Sequence, residues 1–187
     1  MPVSRMKRHR FIVIEGIDGC GKSAVARLLA ERLGAWCYET PPPPFTCIRR
    51  HIDAYASVEV HHLFYLAAVL YASDEIRALL HTQDVVCVRY VMTTVVYHSV
   101  LGSALQLDVE SLHCVQPDYV FLLCVTDEAE RQRRIEQRRI KTAADALLEN
   151  ADLRQRLITE YEKFSAVHID TTHLNQEQVV QTIIDYL

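Results

Sequence analysis

Residues Phe11 to Leu29 read FIVIEGIDGCGKSAVARLL, and this stretch limits the possible folds more than any other. An apolar run of strand length ends at Glu15. Gly16, Gly19, Gly21, Lys22 and Ser23 follow at the spacing G-x-x-x-x-G-K-S, and a helix-compatible segment comes next. Glycine tolerates backbone angles that a side chain forbids, so successive N–H groups in such a loop can turn inward on phosphate oxygens. The positive end of the following helix adds to that field. Lys22 is expected to reach the β- and γ-phosphates of a nucleotide and the Ser23 hydroxyl to ligate Mg²⁺, while Asp18, Cys20 and Ala24 complete the loop. The chain has only five glycines, so placing three of them here argues against a chance match.

Beyond the loop, short apolar runs alternate with longer helix-like segments, the pattern of a parallel sheet covered by helices. Strands are predicted at Phe11–Glu15, Ala35–Tyr38, Val85–Val88, Tyr119–Val125 and Val167–Asp170. Helices are predicted at Lys22–Leu33, Glu59–Leu80, Met92–Leu101, Glu128–Arg138, Leu147–Phe164 and Asn175–Tyr186. The prolines of TPPPPF (Thr40–Phe45) read as a stiff extended loop leaving the second strand. The expectation is one three-layer α/β/α domain over residues 1–187, with its ligand site beyond the carboxyl ends of a five-stranded parallel sheet.

At 187 residues the chain is of single-domain size and can bury a sizeable core. A net charge of −4 argues against a general basic grip on nucleic acid polymers. The six cysteines form no C-x-x-C pair and sit mostly in apolar runs, which suggests small buried hydrophobes in a reducing compartment. No apolar stretch approaches the roughly 20 residues needed to span a bilayer, so a cytoplasmic protein without membrane partners is expected.

Other phosphate-loop classes need elements that are missing. There is no guanine-reading N-K-x-D, and no apolar strand ends in an acidic residue suited to a motor ATPase. A small kinase needs an acceptor pocket and an arginine-rich lid instead, and two segments fit. In DVVCVRYVMTTVVYHS (Asp84–Ser99), Arg89 ends a predicted strand, where its guanidinium can bridge phosphates. A surface ion pair is its bland alternative. Thr93 and Tyr97, four residues apart, share a helix face. In DEAERQRRIEQRRIK (Asp127–Lys141), Arg131, Arg134 and Arg138 recur at helical spacing. Arg134 and Arg138 are candidates to neutralise charge on a transferred phosphoryl group, within a lid at about residues 134–150. A solvated helix face laced with Glu128, Glu130 and Glu136 is the plainer reading.

These segments resemble the thymidylate kinase family, in which a strand ends in D-R-Y before a helix with a polar, Tyr-bearing face. TPPPPFTCIRRHID, FYLAAVLYASDEIRALL and KTAADALLENADLRQRLITEYEKF look more like its mitochondrial-type UMP–CMP kinase branch. The resemblance implies transfer of the ATP γ-phosphate, with Mg²⁺, to a nucleoside monophosphate, and homodimers packed through long helices. It further implies that Asp18 lies near the acceptor sugar and Arg49 meets the acceptor phosphate. Phe64 or Tyr65 would lie against the base, with core packing the alternative for at least one of them, while Thr93 and Tyr97 would read the base or sugar.

Two positions depart from the family pattern. LAAVLYAS carries no cation where an Arg follows the base-stacking Phe, which weighs against dTMP as acceptor. Val88 stands where the family has the Asp of D-R-Y. Glu39 could replace that carboxylate. Alternatively, Glu39 could act as the base of a nucleoside kinase that phosphorylates a sugar hydroxyl. A third reading is a nucleotide-binding protein with lost catalysis.

Overall fold

The alternating pattern forms a parallel sheet with helices on both faces. The computed structural model describes residues 8–106, 108, 110–137 and 147–187. Strands β1 (Phe11–Glu15), β2 (Trp36–Glu39), β3 (Val85–Val88), β4 (Tyr119–Cys124) and β5 (Val167–Asp170) stand in the order β2-β3-β1-β4-β5. Every neighbouring pair is parallel. Among the described residues the α-helices are α1 (Lys22–Leu33), α2 (Pro43–Tyr55), α3 (Val58–Leu79), α4 (Val91–Val100), α5 (Glu128–Glu136), α6 (Ala151–Tyr161) and α7 (Gln176–Tyr186).

Side chains alternate across the sheet, which splits the core into two layers. Ile12, Ile14, Val86 and Val88 face one way and pack on Val25 and Leu29 of α1 and on Val179 and Ile183 of α7. Phe11, Val13, Val85 and Cys87 face the other way, onto Val69, Ala72 and Ile76 of α3. A third cluster joins Met92 and Val96 of α4 to Leu157 and Tyr161 of α6, beside Ile17. β1 sits between β3 and β4, so the chain crosses to opposite sides of β1. This topological switch opens a crevice at the strands' carboxyl ends.

Two departures from expectation have local causes. The proline stretch does not remain extended. After a cis Thr40–Pro41 bond and an extended Pro42, Pro43 opens α2. Proline has no N–H to lose in a helix's first turn, and its fixed φ suits that position, so these prolines start a helix. Helix α6 begins at Ala151 rather than Leu147 because the Asn150 side chain accepts the Leu153 N–H at 3.1 Å and caps it there. Of the lid expected at residues 134–150, positions 138–146 lie outside the described residues.

Candidate active site

The glycine loop runs from the end of β1 into α1, with positive φ at Gly16 (133°), Gly19 (98°) and Gly21 (89°). At two of these, space as well as torsion demands glycine. A Cβ on Gly16 would sit 2.2 Å from the Leu123 carbonyl oxygen, and one on Gly19 would sit 2.5 Å from Cγ of Arg131. The Lys22 ammonium is buried and donates to the Ile17 carbonyl at 2.7 Å, with Asp18 Oδ1 at 3.8 Å. Burial lowers its pKa, helped by the nearby Arg89 charge. Cys20 is buried with its thiol on the same Ile17 carbonyl at 2.9 Å, and the Ala24 N–H bonds the Gly21 carbonyl at 3.1 Å.

Across the crevice, Arg89 follows the last residue of β3 with φ of 62°, a conformation costly for a residue with a side chain. Its guanidinium donates to Asp18 Oδ1 at 2.6 Å and lies over the Tyr97 ring, 5.7 Å from the centroid. Burial opposes the Arg89 charge, but Asp18 holds its pKa well above the ordinary range. Among the described residues the buried Tyr97 hydroxyl has no hydrogen-bond partner, and burial pushes its pKa up to about 12.

Glu15, 0% exposed, organises this side from below. Its carboxylate accepts the Tyr90 N–H at 2.8 Å, the Thr93 N–H at 3.3 Å and the Thr93 hydroxyl. A carboxylate at the start of α4 offsets the orphaned N–H groups there. Burial raises the Glu15 pKa, while the Thr93 hydrogen bond and the Arg89 charge act against that rise. The Thr93 hydroxyl also meets the Tyr161 hydroxyl at 2.8 Å. Thr93 is thus engaged inward with Glu15 and Tyr161, whereas the sequence suggested a face turned to the base or sugar. Tyr161, on α6, was not singled out from the sequence, because nothing in LITEYEKF separates it from a core tyrosine.

Glu39 ends β2 directly beside Val88 in the strand register, and its carboxylate lies 3.5 Å from the Ser23 hydroxyl. Val88 itself is 2% exposed and packed in the α1-side core. A carboxylate therefore stands near Ser23, supplied by the neighbouring strand.

Of the three arginines at helical spacing, two lie among the described residues. Arg131, 1% exposed, donates to the Asp18 carbonyl at 3.1 Å and to both oxygens of Glu128, so it braces the glycine loop from beneath. Arg134 does not extend over the loop in this structure. Its guanidinium is bonded to Glu130, to the Thr171 hydroxyl at 3.0 Å, and to the Thr171 and Thr172 carbonyls at 2.7 and 3.1 Å. Arg138 lies outside the described residues.

Where the sequence places the acceptor, Arg49 of α2 donates to the Tyr65 hydroxyl at 2.9 Å, and that hydroxyl donates to Asp53 at 2.8 Å. Phe64 is half-buried and packs edge-on against Phe45 and Tyr65, with ring centroids 5.6 and 5.2 Å apart. Ala68, one turn after Phe64, is 1% exposed.

Comparisons with known proteins bear on the family and the fold. The family model for thymidylate kinase matches residues 14–183. A probable thymidylate kinase of Methanocaldococcus jannaschii is 34% identical over 195 residues, covering 97% of each chain. One from Thermococcus kodakarensis is 29% identical and covers 92% of each. These relatives give no support to the expected UMP–CMP kinase branch. Among solved structures, the Candida albicans thymidylate kinase superposes with a TM-score of 0.76 at 17% identity, covering 96% of this chain and 91% of that one. A Mycoplasma mycoides deoxyadenosine kinase superposes at 0.67 with 19% identity, covering 95% and 98%. The two structures share the fold. The family match over nearly the whole chain goes further: this phosphotransferase belongs to the thymidylate kinase family of nucleoside monophosphate kinases, whose phosphate donor is ATP.

Proposed function

We propose that the chain transfers the γ-phosphate of ATP, with Mg²⁺, to the phosphate of a pyrimidine nucleoside monophosphate. The observation that carries this reading is the Asp18–Arg89–Tyr97 assembly. It fixes a cation across the crevice from Lys22, where a second phosphate would need charge neutralised. A phosphate acceptor is already nucleophilic at neutral pH, so positioning and charge are enough and no general base is required.

The residues fit Mg²⁺, which prefers hard oxygen ligands: the Ser23 hydroxyl and Glu39 carboxylate are both oxygen donors, 3.5 Å apart. When bound, the ion would neutralise charge on the donor phosphates. In this reading Glu39 substitutes for the family aspartate missing at Val88. Adjacent strands lie about 4.8 Å apart, and glutamate's extra methylene helps it cover that offset. Glu39 is exposed and beside Ser23, which weighs against its serving as a buried base for a nucleoside hydroxyl. The same placement counters the idea that Val88 marks lost catalysis.

The named relatives make dTMP the first acceptor to try. A buried Ala68 one turn past Phe64 offers no hydrogen bond to a base, which favours a broader pyrimidine pocket. We also propose a cytoplasmic homodimer that engages neither nucleic acid polymers nor membranes; among the described residues no helix is long and apolar enough to cross a bilayer. The test is ADP release from ATP–Mg²⁺ across UMP, CMP, dUMP, dCMP, dTMP, AMP, GMP and the matching nucleosides, with Lys22→Ala as blank. Turnover confined to pyrimidine monophosphates is expected; turnover confined to nucleosides would reverse the assignment.

A further inference from the structure

Behind the acceptor side, a continuous polar chain ties α2, α3 and α4 together. His98 Nδ1 lies 2.6 Å from the Thr94 carbonyl, which can only accept, so Nδ1 carries the proton. Burial lowers the His98 pKa to about 4, which leaves its Nε2 as a lone pair. That nitrogen is 2.7 Å from His61 Nδ1, which must therefore donate. The other His61 nitrogen, Nε2, faces Asp53 Oδ1 at 3.3 Å. Asp53 already accepts from the Tyr65 hydroxyl at 2.8 Å and lies 3.4 Å from Arg49 Nε, the surroundings of an ionised carboxylate. A bare nitrogen facing that oxygen would repel it. The network is complete only when His61 carries both protons.

We propose that protonated His61 neutralises Asp53 and so leaves the Arg49 charge available to the acceptor phosphate, making Asp53 and His61 positioning residues that set acceptor affinity according to pH. This rests on the reading that Arg49 meets that phosphate. With His61 charged, Arg49, Asp53 and His61 together carry one positive charge. Loss of the His61 proton leaves Asp53 to compete with the phosphate for Arg49, and the trio becomes neutral. The groups facing His61 are Asp53 and Arg49 from α2, Tyr65 and His62 from α3, and His98 from α4. Burial pushes the His61 pKa down and Arg49 adds to that, while Asp53 opposes both, so the change falls on the acid side of an ordinary histidine's.

The test follows acceptor KM, ATP KM and kcat from about pH 5 to about pH 9, where histidines titrate. The substrate is the pyrimidine monophosphate turned over fastest in the panel above. The proteins are wild type, His61→Gln, Asp53→Asn and Arg49→Ala. The acceptor phosphate's own ionisation is common to all of them and cancels in ratios to wild type. Relative to His61→Gln, the wild-type acceptor KM should be about threefold to tenfold lower at acid pH and converge on it at alkaline pH. Asp53→Asn should lack the rise in acceptor KM that loss of the His61 proton causes in wild type, and should have a KM no higher than wild type, whereas damage to the fold would raise it. The ATP KM should not follow these changes. Ring ¹⁵N shifts of the free wild-type protein supply an independent readout, and should show His61 doubly protonated at acid pH while His98 stays neutral.

A raised acceptor KM in Arg49→Ala, with His61→Gln tracking wild type at every pH, would overturn the proposal alone. An unchanged acceptor KM in Arg49→Ala would overturn the Arg49 reading and the proposal with it. A neutral His61 throughout would overturn the charge assignment directly.

Discussion

At Gly16 the chain has no alternative residue, because a Cβ would collide with the backbone oxygen of Leu123, a residue held in register with Ile169 of β5. Gly16→Ala should therefore destabilise the protein by about 2–3 kcal/mol in urea titrations and abolish binding of a fluorescent ATP analogue. Glu39 is a residue whose role is visible only in three dimensions. Sequence comparison sees an aspartate missing at Val88, while the strand register brings Glu39 beside it and within reach of Ser23. Glu39→Gln should raise the Mg²⁺ concentration needed for ATP-analogue binding about tenfold and leave Mg²⁺-free binding unchanged. An unchanged Mg²⁺ dependence would remove Glu39 from the metal's surroundings.

At the scale of elements, the contact between α3 and α4 depends on a histidine kept neutral. Burial lowers the His98 pKa from 6.5 to about 4, so between those values the unfolded chain binds a proton that the folded chain refuses. Stability contributed by His98 is complete above the higher value and is lost as pH falls through the window, by about 3 kcal/mol. His98→Leu should flatten the pH dependence of unfolding there, measured against wild type by urea titration. Strands and most helices were legible in the sequence because each is a run of apolar residues at one clear period. Helix α2 was not, because prolines at its start look like a loop until their place in the first turn is known. Arg131 and Arg134 were legible as a helical face but not by their partners. Only the fold shows that Arg131 lies beneath Gly19 and that Arg134 is held by the loop after β5.

At the scale of the whole molecule, α3 presents an unusual outer stripe. Val60, Leu63, Ala67 and Leu70 recur at helical spacing and are all exposed. Such a stripe suits packing against the same helix of a second copy. A dimer is expected by light scattering, and a Leu63→Glu, Leu70→Glu double variant should be monomeric with its thermal unfolding largely retained. The phosphate loop and the family were readable from the order of motifs along the chain. The acceptor side was less so, because Arg49, Tyr65, Asp53, His61 and His98 come from three helices and meet only after folding. The central claim, transfer between phosphates, is tested most directly by ³¹P NMR of a reaction of ATP–Mg²⁺ with the best acceptor from the panel. The account predicts that the acceptor's phosphomonoester signal falls together with ATP while two nucleoside diphosphates, ADP and the pyrimidine one, form for each ATP consumed, and that none of this occurs with Lys22→Ala. Inorganic phosphate growing beside ADP with the acceptor's signal unchanged, or a new phosphomonoester growing beside ADP only when a nucleoside replaces the monophosphate, would contradict it.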